Sequence, residues 1–241
     1  TLFGVASALD HAGNLGIVQD GVASRVALAV VAILIALIGG RIVPSFTRNW
    51  LAKRRERSLP ASFDLIDKAA LVMTVVAMAT WVVLPQSLPG GLLLCLAALL
   101  LAVRLARWRG HLTVREPILL ILHIGYGWLV FALFMLGGSA LHEGIPVSAA
   151  LHALTAGAIG TMTLAVMTRA SLGHTGREIT AHRWTITTYV FVNAGAALRV
   201  AAPLTGEWYP PLLACGGAFW SAAFILFTVR YAPILWGPRV T

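Results

Sequence analysis

The sequence predicts an all-α fold, a polytopic transmembrane helix bundle of about seven spans that forms one domain over residues 1–241. Three observations support this fold class. First, the chain is 59% hydrophobic and 11% charged, whereas soluble domains carry about 25% charged residues. Second, its apolar stretches each approach the length of about 20 residues that a helix needs to cross a bilayer. Third, Lys and Arg are concentrated in alternate connections between these stretches, as in multispanning membrane proteins.

The predicted spans follow one another with short connections, so no soluble domain is expected. They cover residues 23–44, 64–84, 88–106, 117–136, 146–169, 184–204 and 210–230. The first is expected to end at Pro44, because proline interrupts the hydrogen bonds of a helix interior. The fifth carries no charge before Arg169, and its small residues at a spacing of four, such as Ala153 and Gly157, allow close approach of another helix. Residues 1–11 are apolar but too short to span, and they predict the end of a preceding helix.

Basic residues predict the orientation of the bundle. The connections around the ends of the first, third and fifth spans hold Arg48, Lys53, Arg54, Arg55, Arg57, Arg104, Arg107, Arg109, Arg115, Arg169, Arg177 and Arg183. The alternate connections, at residues 85–90, 137–146 and 205–210, contain no Lys or Arg. Because cytoplasmic loops are enriched in these residues, we expect the N-terminal end of the chain outside and the C-terminus inside. The net charge of +9 is then a topology signal, and no nucleic-acid partner is expected.

Two ionisable side chains are predicted at similar depth in the outer half of the membrane. His152 lies about 9 Å below the outer surface, and Arg199 lies about 22 Å above the inner surface of a core about 30 Å thick. His11 and His142 fall in outer connections just above them. Imidazole binds haem iron and copper, and arginine holds a haem propionate or another buried anion. We therefore expect His152, His142 and His11 as metal ligands beside Arg199; the alternative for His152 is a hydrogen bond to a neighbouring helix.

His123 is a second candidate for cofactor binding, in the fourth span. It is predicted to lie about 12 Å deeper than His152, which disfavours one haem shared between the two histidines. Helical spacing places His123, Gly127, Val130 and Phe134 on one face. Gly127 beside a ring-binding histidine would leave room for a flat cofactor. The same pattern also suits simple helix packing.

Four stretches of the chain resemble the NnrS family of multispanning bacterial membrane proteins. The most specific is residues 152–177, HALTAGAIGTMTLAVMTRASLGHTGR. The others are residues 40–49, GRIVPSFTRN, residues 122–128, LHIGYGW, and residues 193–199, NAGAALR. They occur in the order of the family and span most of the chain from Gly40 to Val200.

The resemblance implies haem and copper as cofactors, nitric oxide as a small ligand and a role in the response to nitrosative stress. It also implies a location in the bacterial inner membrane, with the lipid bilayer as surroundings and a homo-oligomer or partner subunit as an open question. Family members are usually longer, so the chain is expected to correspond to their C-terminal portion. A Trp-His-x-His-Glu stretch expected in the N-terminal portion has no equivalent here, since His142-Glu143 lacks that context. The catalytic residues are unknown.

Two other functions remain open from the sequence. An oxidoreductase that converts nitric oxide would use the same metals, but it needs a proton supply. Carboxylates near a span boundary are limited to Asp64 and Asp67, so no proton relay is apparent. A transporter of metal or a small anion is the least favoured, because such proteins often have broken helices and paired polar residues at mid-membrane. Here only Asn193 and Thr163 lie near the middle of a span.

Overall fold

The computed structural model describes residues 21–240, and seven long helices account for most of them. In chain order they are α1 (Val22–Lys53), α2 (Leu65–Val83), α3 (Leu88–Ala106), α4 (Pro117–Leu141), α5 (Val147–His174), α6 (Arg183–Ala201) and α7 (Tyr209–Trp236). Three short 3-10 turns lie in two of the connections, one before α4 and two before α7. The described residues contain no strand. The predicted all-α helix bundle is confirmed.

Length and composition qualify six of the seven helices as membrane spans, the last of them counted as Gly206–Trp236. The exception is α6, which has 19 residues and lies in the bundle between α5 and α7. It is more polar than the others because it contains three threonines, Asn193 and two arginines. Helix α4 lies at the centre and contacts α1, α3 and α5.

The predicted end of the first span at Pro44 is wrong, because α1 continues to Lys53 with Pro44 inside it. Proline cannot donate a hydrogen bond to the carbonyl four residues before it, which here belongs to Gly40. That carbonyl instead accepts a hydrogen bond of 3.2 Å from the guanidinium Nη2 of Arg104. Just before Gly40, a π-helical turn at Ile35–Gly39 also interrupts the regular ladder. A side chain from α3 thus compensates for a backbone that the local sequence leaves unsatisfied.

Arg104 is the centre of a buried polar network that joins four helices. Its side chain is 0% exposed, and its Nε lies 2.6 Å from Oδ1 of Asp67 on α2. Its Nη1 donates to the carbonyl of Ala36 at 2.8 Å and to the hydroxyl of Tyr126 at 3.2 Å. The guanidinium fills the space beside Gly40, where any side chain would collide with it. A charge buried in this way is stable only when its partners are complete, as they are here.

The basic connections all lie at one end of the bundle. Contacts between them show this: the Ala61 N–H donates to the Arg107 carbonyl, and the Trp50 indole donates to Glu116. At the same end, the Arg177 guanidinium contacts the carbonyl of Ile234. The opposite end carries the connections without Lys or Arg, and Arg25 lies there with its Nε 3.1 Å from the Val82 carbonyl. The charge asymmetry that predicts the orientation is therefore an asymmetry of the folded bundle.

Helix α2 begins with a capping box. The Asp64 carboxylate accepts the N–H of Ile66 at 2.9 Å, and the Asp67 carboxylate accepts the N–H of Asp64 at 3.1 Å. Such a box satisfies backbone donors that have no partner within the helix. Asp64 is also paired with Arg107 through both of its carboxylate oxygens.

We expect the pair of Asp64 and Arg107 to make stability depend on acid pH. The hydrogen bond from Arg107 lowers the pKa of Asp64 from its ordinary 3.8 to about 2. Because this pKa is lower in the folded protein, the stabilisation is complete above about pH 5 and is lost as the pH falls from about 4 towards 2. The difference in melting temperature between wild type and Asp64→Asn in detergent should shrink over that window. A difference that stays constant down to about pH 2 would contradict this role.

Candidate functional site

The stretch of α5 after His152 departs from regular helix. Residues Ala153–Ile159 form a π-helical turn, and such turns often occur at functional sites. The Ala156 carbonyl in this turn accepts a hydrogen bond of 3.2 Å from the indole of Trp220 on α7. On the α4 side, the indole of Trp128 lies against Gly157, where a Cβ would come within 2.6 Å of the ring. Small residues in α5 thus admit a tryptophan from each neighbouring helix, as the spacing of small residues predicts for close packing.

A hydrogen-bond chain links α4 to α6 at this level. The Trp128 indole donates to Oδ1 of Asn193 at 2.7 Å, and Nδ2 of Asn193 donates to the Tyr189 carbonyl at 2.8 Å. The amide is thereby held in one orientation. The sequence marks Asn193 as a polar residue near mid-membrane, but nothing in it indicates the partner. The sequence offers Trp128 as an indole donor in the fourth predicted span, but no pattern in it joins this residue to Asn193.

His152 on α5 and Arg199 on α6 lie within electrostatic range of each other. The positive charge of Arg199 on α6 acts on the His152 ring at the start of the π-helical turn. Both side chains are half-buried. Among residues 21–240, neither forms a hydrogen bond or an ion pair. An imidazole and a guanidinium without partners inside a membrane bundle indicate a functional site, because such groups are costly where water is excluded.

The position of Arg199 depends on close contact between α6 and α7. Gly195 and Gly216 face each other, and a Cβ on Gly195 would lie 2.8 Å from the Gly216 carbonyl. A Cβ on Gly216 would lie 2.8 Å from Cγ of Arg199. The aliphatic part of Arg199 therefore lies directly on the backbone of α7. Its guanidinium lies near Gly217, 3.5 Å from the position of a Cβ there.

Both ring nitrogens of His123 lie near polar atoms of the protein. Its Nδ1 lies 3.0 Å from the Leu119 carbonyl, which can only accept, so Nδ1 carries a proton. Its Nε2 lies 3.4 Å from Oγ1 of Thr47 on α1. Gly110 covers the ring, since a Cβ there would come within 2.5 Å of it. The Thr47 hydroxyl donates its proton to the Val43 carbonyl at 2.9 Å, so it has none left for Nε2, and both simple packing and a ligand role for His123 fit this geometry.

The face that includes His123 nevertheless borders open space between α3 and α4. His123 lines a small cavity with His111 and Gly110. A separate apolar groove of about 520 Å³ is lined by Gly127, Val130 and Phe134 of α4 and by residues of α3. The groove opens on the outside of the bundle, so a lipid chain would fit it as well as a flat cofactor.

His142 and His11 complete the predicted metal ligands. His142 follows α4 in an exposed turn, where its Nδ1 accepts the N–H of Gly144 at 2.9 Å and leaves Nε2 available. His11 lies outside the described residues. Within residues 21–240, no three His, Cys, Asp or Glu side chains converge to hold a metal ion. A metal site with three such ligands that includes His152 would therefore need at least one of them from beyond that part of the chain.

Arg104 and Asp67 are the polar residues whose role sequence reasoning missed. Arg104 was counted among the basic residues of a connection, although it lies within α3. Asp64, at the same boundary, pairs with Arg107. The missed signal is that Arg104 and Asp67 lie within one turn of the same membrane boundary on consecutive antiparallel spans. That placement brings them to the same depth.

Comparison with known proteins identifies a family. The model of the NnrS family, described as NnrS protein, matches residues 1–239. No curated protein and no solved structure matches the chain. The family match covers the stretches at Gly40, His123, His152 and Asn193 from which the resemblance was inferred. Since it extends over nearly the whole sequence, the chain belongs to the NnrS family.

Proposed function

We propose that this membrane protein binds haem and copper and acts in nitric oxide metabolism and resistance to nitrosative stress. The observation that carries the proposal is the pair of His152 and Arg199 beside the π-helical turn of α5, whose side chains form no hydrogen bond or ion pair within residues 21–240. Membership of the NnrS family supports the same function through what the resemblance implies. The bacterial inner membrane, with the basic connections in the cytoplasm, is part of the proposal.

The two side chains fit the proposed groups by their chemistry. A ring nitrogen of His152 that makes no hydrogen bond within residues 21–240 is free to bind haem iron or copper. The Arg199 guanidinium suits a propionate or another anion in a low-dielectric setting. A bound haem iron or copper ion would supply an open coordination position for nitric oxide. Further ligands would come from His142, from His11 or from another part of the protein.

Two tryptophans pack against the turn that follows His152. The indoles of Trp128 and Trp220 close the space on two sides of the turn. Asn193 accepts a hydrogen bond from the first of these indoles, and the aliphatic part of Arg199 packs against Gly216. These contacts fix the turn beside His152 and the aliphatic part of Arg199 before any ligand binds, which reduces the entropic cost of binding.

The absorption spectrum of the purified full-length protein, oxidised and reduced, tests this function. We expect a Soret band that shifts when nitric oxide is added, and copper detectable by elemental analysis. His152→Ala should reduce haem or copper content at least about tenfold, because loss of even an outer-shell partner costs that much. Arg199→Gln should reduce haem content while copper is retained.

The matched control is His174→Ala, which removes an exposed imidazole at the far end of the same helix. Its spectrum and metal content should equal those of wild type. If His152→Ala leaves both haem and copper unchanged, the site assignment is wrong. Consumption of nitric oxide by the purified protein with a reductant would instead identify an oxidoreductase. Metal uptake into proteoliposomes would identify a transporter.

A further inference from the structure

A groove of about 660 Å³ lies between α1, α2 and the connection before α2. One side of it is a stripe of α1 that contains Arg41, Ser45 and Arg48. These residues are at positions i, i+4 and i+7, so they share one face of the helix. The groove is at the basic end of the bundle, whereas His152 lies towards the opposite end. It is therefore separate from the proposed haem and copper site.

The two arginines of this groove have unused hydrogen-bonding capacity. Arg41 is exposed and makes no hydrogen bond, ion pair or ring contact with any residue from 21 to 240. Arg48 donates through Nη2 to the Pro60 carbonyl, and a guanidinium has five N–H donors. The carboxylates closest in sequence to the groove, Asp64 and Asp67, are occupied by Arg107 and Arg104. The groove therefore carries uncompensated positive charge.

The shape of α1 makes room for a ligand beside these cations. Gly40 has no side chain, and the Gly40 carbonyl already accepts from Arg104, so no free acceptor repels an anion there. Pro44 forms part of the floor. The hydroxyl of Ser45 lies between the two arginines along the stripe and can donate to a phosphate oxygen.

Apolar walls continue from the charged part of the groove into the bundle. Phe63 lies at its mouth and is 55% exposed, and Leu71 of α2 and Leu37 of α1 line its deeper part. Leu71 is about 9 Å along α2 from the start of that helix. The headgroup layer and the first carbons of an acyl chain occupy this range of depth in a bilayer. A soluble anion would gain nothing from these walls.

We propose that this groove binds an anionic phospholipid, with its phosphate at Arg41, Ser45 and Arg48 and an acyl chain along Leu37 and Leu71. Basic pockets between helices on the cytoplasmic side suit such headgroups. Zwitterionic lipids carry a cation next to the phosphate and are weaker ligands for the same two arginines. The bound lipid would cover the part of α1 around Gly40 and Pro44, next to the Arg104 network.

Native mass spectrometry of the full-length protein, titrated in detergent with phosphatidylglycerol, tests this proposal. Arg41→Gln should weaken binding of the first lipid about fivefold, and the double variant with Arg48→Gln about twenty-fivefold. Phosphatidylcholine should bind wild type and variants alike, and more weakly. The matched control is Arg57→Gln, which removes one exposed charge from the connection at the same end of the bundle and should bind as wild type does.

Three results would overturn the proposal. The first is equal weakening by Arg41→Gln and Arg57→Gln, which would mean general charge attraction. The second is equal affinity for phosphatidylcholine and phosphatidylglycerol in the wild type. The third is competition by inorganic phosphate at the same concentration as the lipid, which would identify a site for free phosphate. Melting temperatures of the variants, measured in the same detergent, confirm that the substituted proteins remain folded.

Discussion

Replacing Arg104 with Met is expected to destabilise the protein by about 3–5 kcal/mol, because it takes the closest cation from the buried carboxylate of Asp67 and leaves only Arg107, 3.6 Å away, as an ion-pair partner. In the folded bundle Asp67 is 5% exposed, and Arg104 is its closest cation at 2.6 Å. The substitution also removes the donors for the carbonyls of Ala36 and Gly40 in the irregular part of α1. Unfolding in detergent, followed by circular dichroism, measures the loss.

Two controls separate the buried charge from other effects of this substitution. Arg107→Met removes the neighbouring arginine, whose side chain is 22% exposed, and should cost much less. Adding Asp67→Asn to Arg104→Met should recover part of the lost stability, since no charge then remains buried. If Arg104→Met and Arg107→Met cost the same, the buried network does not hold α1, α2 and α3 together. Failure of the double variant to recover would assign the loss to the α1 carbonyls.

Gly195→Ala is expected to destabilise the contact of α6 with α7 by about 1–3 kcal/mol. The added Cβ would lie 2.7 Å from the Trp220 backbone nitrogen and 2.8 Å from the Gly216 carbonyl, and neither atom can move independently of its helix. The two helices must therefore separate. This movement would also shift Arg199, so we expect lower haem content together with a lower melting temperature.

Gly127→Ala is the matched control for this prediction. A Cβ at Gly127 meets only the Leu105 side chain, at an ordinary 3.8 Å. Because alanine favours helix over glycine, this variant should be unchanged or up to about 1 kcal/mol more stable. A stable Gly195→Ala protein with normal cofactor content would show that close approach of α6 and α7 is not needed at the site.

The sequence predicts the membrane-spanning helices more completely than it predicts the partners of the polar side chains. The apolar runs predict each helix to within a few residues except where a helix extends beyond the membrane-length run. Pro44 illustrates this limit: a local rule predicts a helix end there, but Arg104 satisfies the freed Gly40 carbonyl from another helix. Depth arguments place His152 and Arg199 at a similar level, because rise per residue is a local property. The same arguments say nothing about the ring orientation of His123, which depends on Leu119 and Thr47.

The sequence by itself determined the fold class, the order of the spans, the concentration of Lys and Arg at one end and the family of this protein. These properties follow from composition, from period and from motifs that are contiguous in the chain. The tertiary structure alone decided which polar groups have partners. It paired Arg104 with Asp67, fixed the His123 ring through the Leu119 carbonyl and left the side chains of His152, Arg199 and Arg41 without a hydrogen bond among residues 21–240. The physical reason is that a hydrogen bond requires two groups within about 3 Å, and only helix packing sets that distance.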